Sequence, residues 1–285
     1  MYCGDSKALL SGSLGDKLRG KVQLIFTSPP FSLNHKKKYG NLQGAAYLEW
    51  LAECAPLFRH LLKPDGSIVI EIGNAWEPGR PVMSPLALQA LLAFMERGKL
   101  NLCQQFICYN PSRLPSPTEW VNVRRIRVKD SYTHVWWMSP SEMPDADNRR
   151  VLKEYSKSML QLLSRQKYNA GRRPSGYNIG RQSFLRSHGG AIPSNVITLA
   201  NTHSGTEYQR YCRAKGLTAH PARMPIGLPE FFIKFLTTQR ELVLDPFAGS
   251  NTTGAVAESL KRRWVSIEAQ SEYIEGSKGR FPTMT

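Results

Sequence analysis

The stretch that most constrains this chain is Thr27-Ser28-Pro29-Pro30-Phe31. It follows Lys21–Phe26, an apolar run with the length and β-branched content of a buried strand. Two consecutive prolines forbid further sheet pairing, because neither has an N–H to donate. The chain must therefore leave the strand's carboxyl end as a stiff, extended turn that presents Ser28 and Phe31. In open α/β sheets that end is where ligands sit. A hydroxyl, the fixed carbonyl of Pro29 and an aromatic face suit a planar base with an exocyclic amine. The first two can accept the amine's hydrogens and the ring can stack. An ordinary proline-rich strand exit uses the same residue types, so the stretch alone leaves both readings open.

The flanking pattern alternates. Met1–Asp5 reads as the end of a short strand with an acid at its tip. Ser6–Leu18 has the leucine spacing of one helix. Ser32–Asn41, with Lys36-Lys37-Lys38, has no hydrophobic period and reads as a mobile loop. Tyr47–Leu62 is a helix stopped by a turn at Lys63-Pro64-Asp65-Gly66. Ser67–Ile72, Asn101–Tyr109 and Tyr132–Met138 read as strands and Ser84–Arg97 as a helix. After 139–215 the alternation resumes with a helix at Pro225–Leu236, a strand at Glu241–Leu244 and a helix at Thr253–Leu260. A strand at Arg263–Ile267 and a short helix at Tyr273–Lys278 complete it. Strands alternating with helices predict a doubly wound, mostly parallel α/β sheet.

Charge narrows the partners. The 285 residues carry a formal +16, which predicts a polyanion, nucleic acid before anionic membrane. Residues 139–215 hold thirteen Lys and Arg against five Asp and Glu, half of that excess. They are weakly periodic and read as an inserted module. No apolar run approaches the roughly 20 residues a membrane span needs, and no secretory leader is legible. The five cysteines are irregularly spaced, without Cys-x-x-Cys or zinc-like clustering, so free thiols and no metal are expected.

A second turn, Asp245-Pro246-Phe247-Ala248-Gly249-Ser250-Asn251-Thr252-Thr253-Gly254, joins a strand to a helix. It is neither a P-loop, since Ala255 follows Gly254, nor a spaced G-x-G-x-x-G. An acid at the strand tip suits a cationic amino group better than a pyrophosphate. Glu268, about 20 residues on, stands where a carboxylate meets ribose hydroxyls. An amino-acid cation plus a ribose describes S-adenosylmethionine. A tight turn with a helix N-cap at Ser250 or Thr252 would use the same residues.

Taken together, the two turns resemble the β arrangement of amino-methylating DNA methyltransferases, closest to the PvuII-type cytosine-N4 enzymes of restriction–modification systems. The catalytic S-P-P-[YF] block comes first, a basic region second and the cofactor turn last. The likeness runs almost end to end. It includes Lys63–Gly66, Asn110-Pro111-Ser112, Val135-Trp136-Trp137, His220-Pro221-Ala222-Arg223 and the F-x-G-type cofactor turn.

The resemblance implies a Rossmann-like fold with circularly permuted motif order. A catalytic half over 1–138, a target-recognition region over 139–215 and a cofactor half over 216–285 follow from it. It also implies that Ser28, Pro29, Pro30 and Phe31 hold the target amine and its base. Asp5, Asp245, Pro246, Phe247, Gly249, Ser250, Asn251, Thr252, Thr253 and Glu268 would hold the methyl donor, with Pro221–Pro225 closing the pocket. Glu71, at the end of the neighbouring strand, is the candidate proton relay through Ser28. Double-stranded DNA is the implied partner, gripped by Lys36, Lys37, Lys38, Arg172, Arg173 and Arg181. The protein would act as a monomer in the cytoplasm, with any restriction enzyme separate.

Two departures from the pattern stand out. Asn251 replaces a common glycine, so its backbone is expected to avoid strongly positive φ. The first strand is cut to a few residues at Met1, which bears on Asp5. Adenine N6, an RNA target or a DNA-binding protein without catalysis are the competing readings. Ser rather than Asp or Asn before Pro-Pro favours cytosine.

Overall fold

The computed structural model describes residues 1–31, 42–200 and 206–281. The Lys36–Lys38 run lies outside them. The strands are β1 (Tyr2–Cys3), β2 (Val22–Thr27), β3 (Leu62–Gly73), β4 (Asn101–Tyr109), β5 (Tyr132–Ser139), β6 (Gly171–Arg172), β7 (Asn178–Ile179), β8 (Val196–Thr198), β9 (Leu242–Asp245) and β10 (Arg263–Glu268). The helices are α1 (Ser6–Ser11), α2 (Ser13–Leu18), α3 (Gly44–Leu61), α4 (Leu86–Gly98), α5 (Lys157–Arg165), α6 (Thr206–Ala214), α7 (Gly227–Leu236), α8 (Thr252–Ser259) and α9 (Ser271–Ser277).

Eight strands form one sheet in the order β1-β10-β9-β2-β3-β5-β4-β8. Its neighbours pair in parallel except at β5, which runs antiparallel to both β3 and β4. All six residues of β2 are buried, as a strand covered on both faces requires. Ile25 joins the core under α3 and α4, together with Ile68, Ile70 and Ile72. Phe26 points the other way and meets Phe232 of α7 with ring centroids 5.7 Å apart. Period-two alternation thus sends successive side chains into two different helix layers.

β2 pairs with β3 on one side and with β9 on the other. The chain after β2 builds outward through β3, while β9 leads outward to β10 and then β1. The two tips between which the connections diverge form a topological switch point, where such sheets open a crevice.

Three local expectations change. Ser6–Leu18 is two helices, because Gly12 is extended at φ −106° and ψ −154°. The helix stops at Leu61, as expected, but Lys63–Gly66 is not a separate turn ahead of the strand. Val22 pairs Leu62 while Leu24 pairs Ser67, so these residues bulge out of one continuous β3. The segment 139–215 is divided. Met1–Ala146 and Asn195–Thr285 form one compact unit, and Asp147–Ser194 forms another. The flanks drop out because β8 pairs with β4 and α6 packs on α9.

The 147–194 unit contains α5, capped where Ser156 Oγ accepts from Met159 N–H at 3.2 Å, and the β6–β7 hairpin. Gly190 is its one buried residue. Among the described residues no helix is long and apolar enough to cross a membrane.

Candidate active site

A cleft of about 640 Å³ lies at the carboxyl ends of the central strands. Ser28, Pro29, Pro30 and Phe31 line one part of it, and Asp245–Ser250 another. One hydrogen bond explains their proximity. Thr27, the last residue of β2, donates its hydroxyl to Asp245 Oδ1 at 2.7 Å, and Asp245 ends β9. The other carboxylate oxygen accepts Thr253 Oγ1–H at 2.6 Å, and Phe247 N–H donates to Oδ1 at 3.1 Å.

Asp245 is therefore engaged by three protein donors. It was expected to meet a ligand's ammonium group. It lines the cleft, yet is only 4% exposed, and offers its charge rather than a bare oxygen. Burial outweighs those bonds and, with a contribution from Glu268, pushes its pKa up to about 6.

Glu71 holds the matching position on β3. Thr133 Oγ1 donates to its Oε1 at 2.9 Å, and Ser28 hydrogen-bonds the same carboxyl group. Burial raises its pKa, against the two hydrogen bonds and the charge of Arg113. Glu71 thus sits behind Ser28 as a buried acid whose protonated form burial favours. Phe31 lies over Gly73, where a Cβ would come within 3.0 Å of its ring. Glycine there leaves room for the edge of the aromatic ring at the strand end.

The cofactor turn is built around backbone. Gly249 has φ +52°, and a Cβ there would come within 3.0 Å of the His220 ring. Glu268, at the tip of β10, accepts Gly249 N–H at 2.8 Å and Gln270 N–H at 2.9 Å, one on each oxygen. Those bonds aim the carboxylate and leave lone pairs for a diol. Gly4 N–H donates to the Glu268 carbonyl at 3.0 Å, so even a two-residue β1 brings Asp5 to the cleft wall. Asp5 also caps α1, accepting Ala8 N–H at 2.9 Å.

Asn251 departs from expectation twice. Its φ is +56°, the left-handed value it was expected to avoid. Asn tolerates this region because its short amide bonds locally. Here Oδ1 accepts from Gly254 N–H at 3.2 Å and Ser266 Oγ–H at 2.7 Å. That makes Asn251 the N-cap of α8, in place of Ser250 or Thr252. Its side chain is fully buried and, unlike those of Ser250, Thr252 and Thr253, does not line the cleft. Asn251 shapes the turn from behind the cleft wall.

Several site residues carried no local sequence signal. Ser6 Oγ donates to the Pro246 carbonyl, tying α1 to the turn. Arg280 Nε donates to the Ser250 carbonyl at 2.5 Å while its guanidinium lies 4.7 Å from the Tyr208 ring centroid. His220 meets Tyr273 edge-on at 4.6 Å, forming the wall opposite Gly249. Only its place in the His220–Arg223 block marked it. Cys108 lines the cleft, but burial pushes its thiol up to about 12, so it stays protonated and is no nucleophile.

The structure places Arg172, Arg173 and Arg181 in the 147–194 unit, with Arg172 and Arg181 exposed. Arg173 N–H donates to Tyr177 O at 2.7 Å, closing the hairpin turn, and its guanidinium lies 5.8 Å from the Tyr168 ring centroid. Among the described residues no group of acidic, histidine or cysteine side chains could hold a metal ion.

Comparison with known proteins agrees with this geometry. The DNA methylase family model, which covers N6 and N4 enzymes, matches residues 22–279. The chain is 44% identical over 283 residues to the type II methyltransferase M.PvuII of Proteus hauseri, covering 99% of this chain and 83% of the relative. It superposes on the solved PvuII DNA methyltransferase (cytosine-N4-specific) with a TM-score of 0.78 and 38% identity, covering 100% of this chain and 87% of that one. The solved complex of M1.HpyAVI with SAM shares the fold, with a TM-score of 0.55 and 22% identity over 98% and 97% of the two chains. With two motif turns bridged at one switch point and a family match over nearly its whole length, this chain belongs to the N6/N4 DNA methylase family.

Proposed function

We propose that this protein transfers the methyl group of S-adenosylmethionine to the exocyclic N4 amine of a cytosine swung out of duplex DNA. The observation that carries the reading is the Thr27–Asp245 bond, which sets the amine-binding turn against the cofactor turn in one cleft. The cytosine choice draws on Ser28 before Pro29-Pro30 and on the relative described as cytosine-N4-specific.

The residues fit the methyl donor. Glu268, aimed by two backbone N–H groups, suits ribose hydroxyls. Asp5, beside it in the cleft wall, suits the adenine end, and Pro246–Gly249 with Thr252 and Thr253 suit the amino-acid end. When bound, the donor supplies an electrophilic methyl group on a sulfonium sulfur.

The protein's own residues do the rest. An exocyclic amine conjugated to its ring is a weak nucleophile. Ser28 and the Pro29 carbonyl accept its hydrogens, localise its lone pair and fix its direction of attack. Phe31 stacks on the base. As the amine took up the methyl group that the donor would supply, its surplus proton would pass through Ser28 to Glu71, whose buried carboxylate favours taking it. A base inside a duplex cannot reach this turn, so it must be flipped out.

The basic 147–194 unit is proposed as the target-recognition region, with Arg172, Arg173 and Arg181 on DNA. It holds ten Lys and Arg against two Asp and Glu, so it retains the whole excess of the longer segment. Lys36–Lys38 are proposed as further phosphate contacts. The same reading makes the protein a monomer on DNA, at the nucleoid in the cytoplasm, with a cognate restriction enzyme acting separately. Supporting it are the type II designation of the relative and the DNA substrate of the family.

The test is to incubate the protein with plasmid and labelled S-adenosylmethionine, digest the DNA and identify the modified nucleoside by mass. N4-methylcytosine is expected. N6-methyladenine would replace the cytosine assignment, and cofactor binding without transfer would overturn the enzyme reading.

A further inference from the structure

Between β4 and β5 lies a lobe that the reaction does not use. Arg113 opens it and Thr133 lies just past its end, and both line the cleft. Its two stems are therefore rooted in the cleft wall. The lobe is a built element. Ile126 N–H donates to Trp120 O at 2.9 Å, and Asp130 N–H donates to Ser116 O at 2.9 Å. Arg124 bonds Glu119 at 2.8 Å and lies 5.6 Å from the Trp120 ring centroid. Arg127 donates twice to the Pro81 carbonyl, at 3.1 and 2.8 Å, pinning the lobe to the neighbouring loop.

Yet this well-tied element turns apolar side chains outward. Leu114 is 81% exposed, Val123 67%, Ile126 50% and Val128 86%. Isolated exposed aliphatics are ordinary, but four on one short tied lobe mark a surface shaped for a partner. Charge identifies the partner's class. Residues 114–129 carry four Arg and Lys against the single Glu119. Arg127 and Lys129 bond carbonyl oxygens, which orient them without neutralising them. Arg125 makes no hydrogen bond or ion pair among the described residues. A second copy would bring like charge against like charge. A polyanion with apolar base faces satisfies both halves of the surface.

We propose that the Leu114–Lys129 lobe is a second DNA-contacting element, separate from the basic 147–194 unit. Arg125 and its neighbours hold phosphates beside the target base. Val123, Val128 and Leu114 press against the base step from which the target is extruded, as apolar wedges do in bent or unstacked DNA. The proposal rests on the reading of the cleft as a DNA methyltransferase site, but concerns a surface outside it.

The test compares the full-length protein with Arg125→Glu and with the double variant Val123→Ser/Val128→Ser. These side chains are exposed, and thermal melting checks that folding is intact. Duplex binding is read by fluorescence anisotropy over a range of salt, independently of methyl transfer. Extrusion is read by 2-aminopurine fluorescence at the target position once that position is known from the methylated plasmid. Arg125→Glu is expected to raise the DNA Kd about fivefold and to reduce the slope of log K against log salt by about 0.9, with cofactor Kd unchanged. The double serine variant is expected to lose most of the 2-aminopurine signal. Wild-type values throughout for both variants overturn the proposal. So does a wild-type protein that self-associates in sedimentation, with the serine variant monomeric and DNA binding unchanged. A wild-type protein that transfers no methyl group sinks the functional reading instead, while the anisotropy comparison still decides the lobe.

Discussion

At the residue scale, two buried acids divide the labour of the site. Glu71 is held by Ser28 and Thr133 on the amine side, and burial raises its pKa. Glu71→Gln keeps the shape and removes the proposed proton acceptor. Turnover should fall about 10²-fold or more, with cofactor Kd within a factor of two; calorimetry and single-turnover kinetics check this, and unchanged turnover would remove Glu71 from the proton path. Asp245 does structural work at a measurable energetic cost. Its pKa rises from 3.8 to about 6, so between those values the folded state keeps a proton that the unfolded chain has lost. Stability from this group is therefore greatest below about pH 4 and declines as pH rises through about 6, by about 3 kcal/mol. In Asp245→Asn that decline should vanish. The melting temperature of the variant, relative to wild type, should climb from pH 4 to pH 7. A constant difference across that range would contradict the assignment.

At the element scale, the cofactor turn depends on two residues in the left-handed region for different reasons. Gly249 needs both its φ of +52° and the absence of a Cβ beneath His220. Gly249→Ala should cost about 1 kcal/mol of backbone strain and push His220 off the turn. Cofactor Kd should weaken about tenfold, with a smaller change in DNA Kd, by titration calorimetry and anisotropy. Asn251 holds the same region by bonding Gly254 and Ser266. Its amide also explains Gly254, where a Cβ would fall 2.3 Å from Asn251 Oδ1. The turn's small residues thus serve its own geometry as much as any ligand. The bulge at Lys63–Gly66 follows a similar logic: a strong turn signal is absorbed because hydrophobic pairing on both sides of it holds β3 in the sheet.

At the scale of the whole molecule, charge and chemistry are carried by different parts of the chain. The cleft belongs to the unit built from Met1–Ala146 and Asn195–Thr285, and half of the net positive charge to Asp147–Ser194. Replacing Arg172 and Arg181 together by Ala should weaken DNA binding at every salt concentration. If each meets one phosphate, the salt slope should drop by about 1.8. Cofactor Kd and melting temperature should stay at wild-type values, since both side chains are exposed. Cofactor binding that falls with DNA binding would argue against the division.

What the sequence determined by itself was local and periodic. Apolar runs marked the strands, the Pro29-Pro30 pair marked where β2 must end, and the order of two motifs marked the family. Ser28, Glu71 and Glu268 were legible because strand tips are predictable from where alternation stops. Tertiary structure alone decided what lies between the motifs. Thr27 and Asp245 stand 218 positions apart, and only the β9–β2 pairing makes them neighbours. The same holds for Arg280 on Ser250 and for His220 over Gly249. No local pattern encodes such contacts, because hydrogen bonds and ring packing across a sheet depend on strand order. Strand order is fixed by the sum of all the helix–sheet packing, and no single segment carries it.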